Sequence, residues 1–179
     1  MGKRSDYIRR ERDFYSTPLE AVKPLIPHLP EDFVYAEPCA GDCRLAMHLD
    51  YLTNSSCIAS ILSDIEPQDD GAETIDALDL VVPHNTELII TNPPWDRKIL
   101  HPMIDHFRNQ RPTWLLFDAD WVHTKQSIEY MEYCHKIVSI GRVKWIEDSK
   151  STGKDNCAWY LFDKNPCEKT IFVGRKKHF

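Results

Sequence analysis

The sequence has no apolar run near the roughly 18 residues that a membrane-spanning helix needs. It has no apolar leader either: its first residues, MGKRSDYIRRERDFY, are too charged for a secretory signal. A cytoplasmic protein, in a bacterial or phage-infected cell, with no membrane partner is the expectation. Cys39, Cys43, Cys57, Cys134, Cys157 and Cys167 form no CxxC pair, and no His stands at finger spacing. Reduced, partly buried thiols are expected, with no metal and no disulfides. Repeats, low-complexity tracts and Gly/Ser linkers are absent. The 179 residues therefore read as one domain, 1–179, long enough to bury a core without covalent staples. With 42% hydrophobic and 28% charged residues, a disordered chain is excluded.

Positive net charge is lacking as well. The formal charge is −6, but it is unevenly spread: +2 over residues 1–30, −12 over 31–129 and +4 over 130–179. Basic ends that meet in space would make a phosphate-facing surface. An acidic middle suits a cationic cofactor.

Alternation of apolar and helical segments is what the chain does have. Thr17 before Pro18 reads as the N-cap and first position of a helix running to about residue 26, where Pro27 and Pro30 stop it. Residues 32–37 (DFVYAE) read as a strand, 42–52 as a helix and 57–63 (CIASILS) as a strand. A further short strand is expected over 77–82, then a strand over 87–91 (ELIIT), a helix over 99–109, a strand over 113–117 (TWLLF) and a helix over 127–134. Residues 136–146 are mixed. Residues 158–162 and 170–174 read as two strands of a hairpin across a polar turn, Asp163-Lys164-Asn165-Pro166. Strands alternating with helices predict an α/β, Rossmann-like fold. Its sheet is mostly parallel, closes on an antiparallel strand and carries helices on both faces. Ligands of such sheets sit at the carboxyl ends of the strands, where Glu37, Asp64 and Asn92 fall.

Three motifs lie at those ends. In Glu37-Pro38-Cys39-Ala40-Gly41-Asp42 a strand ends in an acid and turns through small residues into a helix. Gly41 allows a close backbone approach. Free amides at the helix start would attract a carboxylate or phosphate, and Glu37 an ammonium. In Asp64-Ile65-Glu66 the aspartate can accept from both hydroxyls of a ribose, and Ile65 can cover an adenine face. In Thr91-Asn92-Pro93-Pro94-Trp95 two prolines remove two backbone donors and leave carbonyls that only accept. The Asn92 oxygen is a further acceptor, and Trp95 offers a flat face. Two acceptors beside an aromatic plane suit an amino group conjugated to a ring.

On these residues the sequence resembles class I S-adenosylmethionine-dependent methyltransferases, and among them the small N6-adenine DNA methyltransferases of phages and prophages. Asp13-Phe14-Tyr15-Ser16-Thr17-Pro18 resembles the family's N-terminal motif at the cofactor's methionine end. Glu37 to Gly41 resembles its cofactor loop, Asp64 its ribose-binding acid and Asn92-Pro93-Pro94-Trp95 its catalytic motif. Residues 141–145 and 153–159 are similar to its later segments. The resemblance implies a seven-stranded sheet with the last strand antiparallel. It also implies S-adenosylmethionine as cofactor and double-stranded DNA as partner, with the target base flipped out of the stack. Asn92, Pro93, Pro94 and Trp95 are then catalytic. Phe14, Thr17, Pro18, Glu37, Cys39, Gly41, Asp64, Ile65 and Asn92 hold the cofactor. RNA, a protein glutamine amide, and a module that binds without catalysing remain as alternatives. The sequence departs from the pattern twice. Cys43 stands where the family has a second glycine, so that its thiol either crowds the cofactor or turns into the helix–sheet interface. No segment resembles a separate target-recognition domain. Asp118-Ala119-Asp120-Trp121 is a candidate wall of the target pocket, His123 a rim residue, and Lys150, Lys154, Arg175, Lys176 and Lys177 candidate phosphate contacts.

Overall fold

A computed structural model describes residues 15–146 and 153–176. Phe14, Lys150, Lys177 and the basic run before residue 15 lie outside them. Eight strands form one sheet: β1 Phe33–Glu37, β2 Cys57–Asp64, β3 Glu73–Thr74, β4 Leu88–Thr91, β5 Thr113–Asp118, β6 Cys134–Arg142, β7 Asn156–Phe162 and β8 Ile171–Val173. Their order is β3-β2-β1-β4-β5-β7-β6-β8. β1 to β5 pair in parallel, and β7 runs antiparallel between β5 and β6. The helices are α1 Leu19–Val22, α2 Arg44–Leu52, α3 Arg97–Arg108 and α4 Ile128–Met131. No helix among the described residues is long and apolar enough to cross a membrane.

Successive side chains of a strand point to opposite faces, so a sheet buried on both sides needs apolar residues at consecutive positions. β5 meets that requirement. Trp114 and Leu116 join one core with Phe33, Tyr35, Leu45, Leu49 and Trp159, under α1 and α2. Leu115 and Phe117 join the other with Tyr160, Phe162 and the α3 side chains Leu100, Met103, Ile104 and Phe107. That α3 set follows the i, i+3, i+4, i+7 spacing of an amphipathic helix. Burying it stabilises the fold by roughly 6–12 kcal/mol at about 1.5–3 kcal/mol per large side chain. Asp96 caps the helix, accepting from the Lys98 amide at 2.9 Å.

The α/β expectation holds, and several local ones do not. Residues 77–82 form no strand, because their backbone groups go to side chains instead of a neighbouring strand. Asp76 accepts from Leu78 N, and Gln110 both accepts from Val82 N and donates to Leu80 O. The strand here is β3, just before. The expected hairpin of the last two strands is absent. β6, from the segment whose pattern was mixed, lies between β7 and β8 and pairs with both. The sheet therefore has eight strands, and the antiparallel one is the seventh. Pro18, not Thr17, occupies the cap position of α1, whose helix ends at Val22 and gives way to a short 3-10 turn at Ile26–His28. α2 begins at Arg44 instead of 42, and α4 is a single turn.

Candidate functional site

The strand order reverses between β1 and β4. At that point a cavity of about 880 Å³ opens at the carboxyl ends of β1, β2 and β4. Its size falls in the range of small-molecule sites, about 300–1,000 Å³. Asp42, Asp64, Glu66, Asp76 and Asp96 line it against one cation, Lys98. Such a wall favours a positively charged ligand.

Asp64 ties two of the walls together. Its Oδ2 accepts from Gly41 N at 2.9 Å and its Oδ1 from Glu66 N at 2.9 Å. Each oxygen keeps a lone pair for a further donor. Gly41 stands at φ +52°, a left-handed conformation that suits glycine. Ile65 and Leu78, both exposed apolar side chains, line the cavity beside this carboxylate.

The amides expected to be free at the start of α2 are already engaged. Cys43 N donates to Ala40 O at 2.7 Å, Arg44 N to Asp42 Oδ1, and Ala46 N to the Glu37 carboxyl. The group that meets this helix end is therefore the Glu37 carboxyl. Glu37 is 1% exposed, behind the cavity wall, and its Oε2 has no partner among the described residues. Burial first, then the charge of Asp42, pushes its carboxyl well above the ordinary glutamate value of 4.5. The Ala46 hydrogen bond works against that shift, and the Asp64 charge adds to it. A raised carboxyl pKa means that the folded state binds more protons than the unfolded chain. The Glu37 contribution to stability is thus lost as pH rises above the ordinary glutamate value. Urea unfolding at about pH 5 and about pH 8 should show this slope in the wild type and its loss in Glu37→Gln.

Cys43 is buried at φ +57°, and it does not line the cavity. Its sulfur lies 3.8 Å from where a Cβ on Gly71 would stand, so the thiol points at the 69–71 loop. It neither crowds a ligand nor enters the helix–sheet interface. A glycine at this position would suit the backbone conformation. A left-handed non-glycine residue costs about 1–2 kcal/mol. Cys43→Gly loses a small buried side chain but relieves that strain, whereas Cys43→Ala loses the sulfur and keeps the strain. Denaturant unfolding should find the Gly variant more stable than the Ala variant by about 1 kcal/mol, the reverse of the usual order near a helix. Ligand affinity should be unchanged in both.

Asn92 follows β4 and lines the cavity with Pro94. Its Nδ2 donates to Tyr15 O at 3.3 Å and to Thr17 Oγ1 at 3.1 Å. A backbone carbonyl only accepts, so the amide nitrogen must face Tyr15, and Oδ1 is left as an acceptor with no donor among the described residues. Thr17, expected to cap a helix, spends its hydroxyl here. Ser16 Oγ donates to Asp42 Oδ2, which fastens the same segment to the loop after β1. Trp95 is half-buried and lies off the cavity wall. Its Nε1 donates to Leu116 O at 3.2 Å, and its ring meets Trp145 edge-on at 5.8 Å. Tyr15 reaches Trp145 at 6.3 Å, which completes an aromatic rim. Gly153 packs against that rim so closely that a Cβ would stand 3.1 Å from Trp145 Cδ1.

Thr17, Cys39, Gly41, Asp64, Ile65, Asn92 and Pro94 all line one cavity, while Pro18, Glu37, Pro93 and Trp95 stand outside its lining. Burial, then the charge of Asp64, raises the Cys39 thiol far above its ordinary range, so it is a neutral wall. Trp121 is fully buried with its N–H on His101 Nε2, so it belongs to the core and not to a target pocket. Asp118 pairs with Arg97 at 3.0 Å. Sequence reasoning missed Gln68, Asp76, Ala77 and Leu78 as cavity residues. The turn signal Asp76-Ala77-Leu78-Asp79 could have found them, had 77–82 not read as a strand.

No protein-family model matches the chain, and no curated protein matches it in sequence. Solved structures do match its fold. A protein assigned to the class I S-adenosylmethionine-dependent methyltransferases, from Listeria monocytogenes, is similar with a TM-score of 0.51 at 9% identity, over 87% of this chain and 62% of its own. A structure of the type I R-M system is similar with a TM-score of 0.52 at 11% identity, over 95% of this chain and 47% of its own. The chain thus spans less than two thirds of either. The likeness defines the fold: it is that of class I S-adenosylmethionine-dependent methyltransferases.

Proposed function

We propose that this protein transfers the methyl group of S-adenosylmethionine to the N6 amino group of adenine in double-stranded DNA. The carrying observation is the state of Asn92. With its amide nitrogen committed to Tyr15 and Thr17, its oxygen is free at the rim of the acidic cavity. The amine of an aromatic ring is a poor nucleophile because its lone pair is delocalised. Asn92 Oδ1 and the Pro93 carbonyl accept its two N–H bonds, position it and favour a pyramidal nitrogen. Pro93 and Pro94 offer no competing donor. Trp95 stacks on the base, which must leave the duplex to arrive there.

The acidic lining fits a cationic cofactor, and Glu37, just behind that lining with an unpartnered carboxyl oxygen, is assigned to its ammonium. When bound, the cofactor supplies a methyl group already activated by sulfonium. Asp64 accepts from the ribose hydroxyls with its remaining lone pairs, and Ile65 covers the adenine. Thr17, Pro18, Cys39 and Gly41 would hold the methionine end, and Asn92 would face the transferred methyl group. Catalysis is mostly positioning. The test is incubation with labelled cofactor and, separately, DNA, RNA and ribosomal protein, followed by digestion. Label in N6-methyladenine from DNA is expected. Label in RNA or in glutamine would replace the substrate, and cofactor binding without transfer would mean a non-catalytic module.

A further inference from the structure

A second cavity, of about 290 Å³, lies between the α1 segment and the β6–β8 edge, and its charged rim is basic. Arg142, Lys144, Arg175 and Lys176 line it against one acid, Glu20. Among the described residues none of these four cations is paired with a carboxylate. In a chain of net charge −6 that concentration is not a compositional accident. His28, also in the lining, has its imidazole held below the ordinary range by burial first and then by the charges of Lys136 and Lys176, as a positive field requires.

The cleft is built, not merely decorated. β6 carries a register irregularity at Ser139/Gly141, and Gly141 adopts φ +89°. A Cβ on Gly141 would stand 3.0 Å from Arg175 Nη1, so glycine here lets the guanidinium lie across the strand. Position follows from topology. β6 and β8 run in the direction of β4 and β5, so Arg142, Lys144, Arg175 and Lys176 emerge on the same edge of the sheet as Asn92. Thr17 lines the first cavity and Glu20 the second. Three residues of chain reach at most about 11 Å. Phosphates of one strand recur about every 3.4 Å of helix axis, so the nearest walls of the two cavities lie within about three base steps of each other.

We propose that this cleft seats the phosphate backbone of the DNA duplex a few steps from the base drawn into the catalytic cavity. The proposal rests on the DNA reading above. Arginine forks suit phosphate bidentately, and the seat carries no sequence information.

The test measures binding of the full-length protein to a short synthetic DNA duplex across a range of salt concentrations. Each phosphate contact contributes about 0.9 to the slope of log affinity against log salt. The Arg142→Ala/Arg175→Ala/Lys176→Ala variant should flatten that slope by about two to three, with cofactor affinity unchanged by calorimetry. Gly141→Ala, which strains the β6 backbone at φ +89° and pushes on the Arg175 guanidinium, should flatten it by about one. Lys164→Ala/Lys169→Ala, in the turn at the opposite edge, should leave it unchanged. A wild-type slope in the triple variant, or equal flattening in the control pair, would overturn the cleft. Preference for single-stranded RNA over the duplex would overturn its occupant. A wild type that methylates no DNA yet binds the duplex through these residues removes the catalytic reading and supports the cleft. One that neither binds nor methylates DNA removes both.

Discussion

Asn92→Ala is expected to lower methyl transfer at least about 100-fold, the size of effect that an error of about 1 Å in positioning produces, with a far smaller loss of cofactor affinity. The side chain is held from across the fold by Tyr15 and Thr17, and its free oxygen is assigned to the target amine. Alanine removes the acceptor and also releases the 15–17 segment. Thr17→Val separates the two effects. It deletes one anchor and leaves Asn92 Oδ1 in place, so a partial loss of rate is expected. Asn92→Asp should fail as well, because a carboxylate cannot donate to the Tyr15 carbonyl. Single-turnover transfer and calorimetry read these outcomes. Normal turnover by Asn92→Ala would remove the residue from the catalytic motif.

Asp64→Ala should weaken cofactor binding by roughly 10- to 100-fold, the worth of a charge-assisted hydrogen bond of about 1.5–3 kcal/mol. Its cost to stability should be separate and real, because Gly41 N and Glu66 N both lose their acceptor. Asp64→Asn keeps one acceptor oxygen and should recover part of each. Duplex binding measured without cofactor should not change, since Asp64 lies in the first cavity and not in the basic cleft. Calorimetry that finds wild-type cofactor affinity in Asp64→Ala would take the residue out of the site.

The two variants probe residues that differ in how much of their role was legible beforehand. Asp64 is readable because an apolar strand ending in an acid is a local pattern. The position of Asn92 after β4 is readable for the same reason. What holds Asn92 is not, because Tyr15 and Thr17 stand more than 70 residues away. Thr17-Pro18 carries the local signature of a helix start, and tertiary packing claimed the hydroxyl for another task. The same competition explains the α2 amides, which the motif left free and which the buried Glu37 and Ala40 and the half-buried Asp42 engage.

The sequence by itself determined the α/β class, the consecutive apolar run that buries both faces of β5, and the three motifs at the strand ends. Each of these is recorded in side-chain periodicity and turn chemistry within a short window. Only the tertiary structure decided that β6 separates β7 from β8, that Asp76, Ala77 and Leu78 become a cavity wall, and that Cys43 adopts a left-handed conformation with its thiol turned toward the 69–71 loop. It alone gathered Arg142, Lys144, Arg175 and Lys176 around one cleft. Strand neighbours are chosen by hydrogen-bond edges and packing between segments far apart in the chain. A local pattern specifies which residues are buried, but not which strand they will lie against.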